Sequence, residues 1–364
     1  MILENLLKFM VDENASDLHI RIGVEPAMRK DNIIIKLKNI GRVSMEQMNI
    51  ILQQLMTKNQ YESFTQGNEC DFAVGIKHFG RFRINAYLQR GTKALAIRHI
   101  AREIPQFTDL NLPPVILDLC IKPRGLILVT GATGSGKSTT LASMVDHINK
   151  NLPINIISIE DPIEFLHRDI KSTISQREIG TDTKSYGIAL RHCFRQDPDV
   201  LLIGEIRDID TMTTALQAAD TGHLVLSTLH TMNSSETINR IISFYPPHQH
   251  QQIRLLLAST LQATISLRLL SRKEGSGRIP ATEIMIVTGA IRECLIKPEK
   301  TLDIESLIKE GHQIYGSQSF DQSILHLFQQ GFISYETALK NTSNPNDFEL
   351  KVKGVLGTSD RSWT

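Results

Sequence analysis

Residues 131–138 read Gly-Ala-Thr-Gly-Ser-Gly-Lys-Ser, a full match to G-x-x-x-x-G-K-[ST]. The apolar run Gly125-Leu-Ile-Leu-Val-Thr130 precedes it, and the helix-like Ser138-Thr-Thr-Leu-Ala-Ser-Met-Val145 follows. That is the strand–loop–helix setting in which the pattern cradles phosphate. Gly131, Gly134 and Gly136 let the chain bend until successive N–H groups converge, with Ala132, Thr133 and Ser135 completing the loop. Lys137 can reach the outer phosphates, the Ser138 hydroxyl can ligate Mg²⁺, and Thr139 continues the anion-facing first turn. The chain is expected to bind a nucleoside triphosphate on a parallel α/β sheet.

At 364 residues the chain has room for two domains. A hydrophobic fraction of 41% and a charged fraction of 22% are those of a globular protein. A formal net charge of +1 gives no bulk attraction to nucleic acid, and none is expected as a direct partner. Cys70, Cys120, Cys193 and Cys294 are far apart, with no C-x-x-C pair. They suggest neither a zinc ribbon nor disulfides, and suit a reducing cytoplasm. The N-terminal stretch carries acids among its apolar residues and reads as an amphipathic helix rather than a signal peptide.

Residues 1–100 read as a small α+β domain: helices at 2–13 and about 44–58, and strands around 18–22, 33–37, 71–76, 81–87 and 94–98. Three prolines in 101–114 interrupt the periodicity and predict a linker. From 115 to 364 buried strands at 125–130, 155–159, 200–204 and 223–229 alternate with helices, the pattern of a parallel sheet. After Ile242 the reading is mostly helical, with a flexible hairpin or loop at 271–278.

Strand ends carry the candidate chemistry. Glu160, Asp161 and Glu164 follow the strand at 155–159, and at least one is expected to orient or deprotonate a water. The run 200–204 ends in Glu205, the Walker-B position that holds Mg²⁺ directly or through water. His223 and His230 bracket another strand; seven residues apart, they face opposite sides of a regular strand and serve different partners, one near the phosphates and one in packing or subunit contact. Arg81 and Arg83 share a strand face, and Arg98 lies on the next strand. In a ring such a face can supply an arginine finger to a neighbour's nucleotide.

The P-loop, the acidic box 157–165, the Walker B ending Gly204-Glu-Ile-Arg-Asp208 and the histidine box 221–230, in that order, resemble the ATPases of type II secretion and type IV pili. Ser16-Asp-Leu-His19 and Gly80-Arg-Phe-Arg83 extend the likeness to the N-terminal part. Within that superfamily the chain is similar to the PilT/PilU family of retraction ATPases. Extension and secretion motors carry a further N-terminal domain and usually a tetracysteine insertion, whereas this chain starts at the PAS-like domain and has no C-x-x-C. The family's Ala-Ile-Arg-Asn-Leu-Ile-Arg-Glu helix is matched by Ala290-Ile-Arg-Glu-Cys-Leu-Ile-Lys297, which keeps three residues and then diverges. The divergence leaves main motor and accessory paralogue as alternatives, with an extension or type II secretion motor and a nucleic-acid translocase behind them.

The resemblance implies a PAS-like α+β domain joined to a RecA-like P-loop ATPase domain with a helical C-terminal extension. It implies an ATP- and Mg²⁺-dependent hydrolase, assembled as a homo-hexamer in the cytoplasm. That ring would dock peripherally on the inner-membrane platform protein at the pilus base and could act with a paralogous motor. It assigns Lys137 and Ser138 to Walker A, Glu205 to Walker B and Glu164 to the general base. His230 joins the catalytic group and His223 the nucleotide contacts. Arg81 and Arg98 are the arginines that approach a neighbour's nucleotide.

Overall fold

The computed structural model describes residues 2–13, 15–30, 33–77, 79–100, 104–275 and 277–353. It divides into two units, Met1–Glu103 with Glu164–Leu166, and Ile104–Ile163 with His167–Thr364.

In the first unit six antiparallel strands lie in the order β3-β2-β1-β6-β5-β4. They are β1 Asp17–Arg21, β2 Ala27–Lys30, β3 Ile33–Lys36, β4 Glu69–Ile76, β5 Gly80–Gln89 and β6 Thr92–Ile100. Three helices join them: α1 Ile2–Asp12, α2 Met45–Leu55 and α3 Lys58–Gly67. The helix expected at about 44–58 is α2, and α3 follows it as a further, unexpected helix, because Thr57 starts a new one through a capping box with Gln60. Period-two alternation turns Leu18, Ile20, Phe82, Ile84 and Ile97 inward onto Leu6, Leu52 and Phe64 of the helices. The outward face of β5 and β6 carries Arg81, Arg83 and, directly opposite Arg83, Arg98.

The second unit is built on seven strands in the order β13-β12-β7-β11-β10-β8-β9. They are β7 Gly125–Thr130, β8 Asn155–Glu160, β9 Thr173–Glu178, β10 Val200–Ile203, β11 Leu224–Leu229, β12 Leu261–Ser271 and β13 Arg278–Ile286. All neighbouring pairs are parallel except β12 with β13. Every residue of β7, β10 and β11 is buried, as expected for strands covered on both faces. Leu126, Leu128, Leu201, Ile203 and Val225 face one apolar layer with helices α6 Tyr186–Cys193, α7 Ile209–Asp220, α8 Ser234–Ser243 and α9 His250–Thr260. Ile127, Val129, Leu202 and Leu226 face the other, with α4 Val115–Cys120 and α5 Lys137–Asn151.

Two expectations are corrected. The residues after Ile242 include the long hairpin β12–β13, which extends the sheet from β7 outward before the chain turns helical from Gly289. The proline-rich stretch is not a free linker over its length: residues 104–114 belong to the second unit, where Phe107, Leu110 and Leu112 pack into the α4–α5 layer. Pro105 O also accepts the Ser143 Oγ hydrogen at 2.6 Å. The prolines break periodicity without preventing packing. Among the described residues no helix is long and apolar enough to cross a membrane.

Candidate functional site

Sheet order fixes the order of the functional groups. The C-terminal ends of β7, β11, β10 and β8 lie side by side in parallel register, Ile203 pairing with both Ser227 and Ile159. Running across that edge come the P-loop after β7, His230 after β11, Gly204-Glu205 after β10, and Glu160-Asp161 at the end of β8. In an open α/β sheet this edge is where ligands bind.

The loop is shaped by Gly131, whose φ is 138°. A Cβ there would stand 2.5 Å from Ser135 Oγ and 2.6 Å from the carbonyl oxygen of Leu267 on β12, so only glycine fits. Ala132, Thr133 and Gly134 form the exposed tip, and Ser135 is buried beneath it. Lys137, the first residue of α5, is buried and donates from Nζ to the carbonyls of Gly131 at 2.8 Å and Ala132 at 3.0 Å. Ser138 and Thr139 follow in the first helical turn, whose N–H groups point toward the loop and favour an anion. Beside the loop, Ser135, Gly136, Thr139 and Thr140 open onto a cavity of about 180 Å³ reaching Asp109, Arg272 and Arg278.

Glu205 is the hub of the sheet edge, its side chain 14% exposed. Arg207 forms an ion pair with its Oε1, and His230 Nε2 lies 3.2 Å from its Oε2. The turn carrying Glu205 is pinned from both sides: Thr228 Oγ1 donates to Gly204 O at 2.8 Å, and Gly204 N–H to Ile159 O at 2.8 Å. Asp208 then caps α7 by accepting the Thr211 N–H at 2.8 Å. Glu160 accepts from Ser158 Oγ at 2.7 Å and Gln176 Nε2 at 3.2 Å. Buried Glu178 accepts the Ile163 N–H at 3.1 Å and so tethers the acidic box. Burial pushes His167 down to about 4, which leaves it uncharged near neutrality and no source of positive charge here.

The structure therefore places Gly131 through Thr139, Glu205 and His230 along one edge of the sheet. His223 is not among them. It precedes β11 at the opposite end of the strand, roughly 20 Å along at ~3.3 Å per residue. There its ring Nδ1 lies 3.0 Å from Ala218 O and its ring packs edge-on to Phe194. Within its own chain it is a packing histidine, which corrects its assignment to the nucleotide contacts. Arg81, Arg98 and Glu164 belong to the first unit. Arg98 Nε donates to Asp17 Oδ1 at 2.8 Å. Glu164 is exposed. Sequence reasoning gave no role to Arg207, Glu178 or Tyr186. For Arg207 the signal was its place two residues after the strand-end acid; the other two carry none.

The type II/IV secretion system protein family matches residues 1–276, more than half the chain. The chain belongs to that family. Two Pseudomonas aeruginosa relatives are each 38% identical to it. The type IV pilus ATPase PilU aligns over 97% of this chain and 92% of its own length. The type IV pilus retraction ATPase PilT aligns over 96% and 100%. The crystal structure of the pilus retraction motor PilT with bound ADP superposes with a TM-score of 0.88 at 41% identity, covering 95% of this chain and 98% of that one. A nucleotide site at the P-loop fits both this family and the geometry.

Lys137→Ala removes the loop's ammonium and leaves the sheet untouched. ATP turnover should fall about a hundredfold or more, the equivalent of ~3 kcal/mol of lost charge stabilisation, with cooperative melting retained. Steady-state hydrolysis and thermal melting of the purified variant check this.

Proposed function

We propose that this chain is the subunit of an ATP-hydrolysing motor that drives type IV pilus retraction and hence twitching motility. The observation that carries the reading is the likeness of nearly the whole chain to the ADP-bound retraction motor PilT. The matching similarity to PilU supports a second reading, an accessory retraction paralogue working beside another motor ATPase. In either case we place it as a homo-hexamer in the cytoplasm, peripheral to the inner membrane, against the platform protein at the pilus base.

The chemistry is phosphoryl transfer to water, in which positioning and charge stabilisation carry the catalysis. Lys137 turns from the loop carbonyls to the β- and γ-phosphate oxygens. Ser138 and Glu205 are the residues that would hold Mg²⁺, which would neutralise the charge developing on the phosphates when bound. They fit it by their chemistry: a hydroxyl and a carboxylate are hard oxygen donors, and Mg²⁺ typically takes one or two protein ligands with phosphates and waters. Arg207 and His230 hold the Glu205 carboxylate in place. Glu164 takes the proton of the water whose oxygen attacks the γ-phosphorus, as the bridging P–O bond breaks toward ADP. Arg81 and Arg98, on one face of the first unit, reach a neighbouring subunit's nucleotide as fingers in trans.

Three outcomes test this. Glu164→Gln should keep nucleotide affinity and lose single-turnover hydrolysis about a hundredfold or more; hydrolysis at the normal rate moves the base elsewhere, with Glu160 next. Inactive Arg81→Ala and inactive Lys137→Ala subunits, mixed in one ring, should regain activity wherever an intact arginine meets an intact P-loop. No gain over the separate variants, with subunit exchange verified, removes Arg81 as a finger in trans. Deletion in the native organism should leave cells over-piliated and unable to retract; sparsely piliated cells would identify an extension motor instead.

A further inference from the structure

Tyr186 opens α6 directly after its cap, Ser185, whose Oγ accepts the Ile188 N–H at 3.3 Å. Its ring packs on the apolar layer formed by α6, α7 and the sheet. The hydroxyl oxygen is buried and has no hydrogen-bond partner among the described residues. It lies against backbone where two strands finish. A methyl built on Gly204 would stand 3.0 Å from that oxygen and 3.3 Å from the Cα of Glu160. The absence of a side chain at Gly204 is thus what makes room for the hydroxyl between the ends of β8 and β10.

The surroundings are charged. Burial, with the carboxylates of Asp161, Glu205 and Glu160 nearby, pushes the phenol above the usual tyrosine range, against the smaller opposing effect of Arg207. The group therefore stays an O–H donor at any physiological pH. Ring packing does not account for it, because phenylalanine would fill the same volume without a buried donor. Donors buried in native proteins are as a rule matched to an acceptor. A water oxygen is an acceptor of the right kind: the carboxylates of Asp161, Glu205 and Glu160 are near enough to act on the phenol, and a water can give its hydrogens to carboxylates while accepting from a phenol.

We propose that Tyr186 belongs to the hydrolytic site and positions the attacking water. Its O–H donates to one lone pair of a water held beside Glu160, Asp161 and Glu205, leaving the other lone pair for the γ-phosphorus. Tyr186 gives up no proton in the step. The new O–P bond forms from that water, the bridging P–O bond breaks, and the water's proton passes to the general base.

The inference rests on the ATPase reading above and is tested separately from it. Tyr186→Phe in the full-length chain deletes one oxygen and keeps the ring. Turnover at saturating ATP should fall about tenfold, the rate equivalent of one hydrogen bond. KM, the affinity for a non-hydrolysable ATP analogue and the melting temperature of the chain without nucleotide should stay level, with KM and affinity inside about twofold of wild type. A Tyr186→Phe chain that turns over like an active wild type overturns the inference and leaves the ATPase reading standing. So does a rate loss matched by lost analogue affinity or a lowered melting temperature, since that is a structural role. A wild-type chain without ATPase activity overturns both.

Discussion

Three segments meet at the α-carbon of Gly131. β7 ends there, the P-loop begins there, and β12 passes so close that the Leu267 carbonyl and Ser135 Oγ leave no space for a methyl group. The Gly131 carbonyl in turn accepts from Lys137, which starts α5. Next to this contact Thr130 Oγ1 donates to Ser266 Oγ at 2.9 Å, joining β7 to β12 through side chains as well as the ladder. The β12–β13 hairpin is therefore one wall of the nucleotide loop. The same hairpin carries the apolar residues Leu270, Ile279 and Ala281, on which Phe320, Ile324 and Leu327 of the C-terminal helical region pack.

The legible part of the fold is the part where one signal suffices. β7 and β10 carry the continuous apolar runs 126–129 and 200–203, and β11 interrupts its own only with Ser227 and Thr228, because both faces of the sheet are covered. The hairpin is harder to read because α9 passes into β12 with no turn residue between Thr260 and Leu261. The Leu-rich run 255–261 continues a helical pattern, and pairing with β7 overrides it from Leu261 onward. The stretch 104–114 misleads in the opposite direction. Its prolines announce an irregular chain, while its burial comes from Phe107, Leu110 and Leu112, spaced at no regular period.

The site divides along the same line. Lys137, Ser138, Glu205 and His230 follow from their positions just past buried strands, since parallel strands deliver their C-terminal ends to one edge. His223 lies before its strand, so the same reasoning, applied to each end separately, sends it to the far edge. The shared face of Arg81 and Arg83 follows from period two, and the cross-strand pairing of Arg83 with Arg98 required the register. Tyr186 could not be read from sequence at all. An aromatic at a helix start looks like core, and its ring is core; only the position of one oxygen against Gly204 distinguishes it.

The contact between His230 and Glu205 has a chemical consequence for the ring itself. A carboxylate ion-paired with Arg207 can only accept, so the hydrogen between His230 and Glu205 sits on Nε2. In the neutral ring that fixes the tautomer and leaves Nδ1 as a bare lone pair on the other side. Whatever meets the neutral ring from that side must itself bring a hydrogen: a hydroxyl, an amide or a water is received there, and a naked phosphate oxygen is turned away.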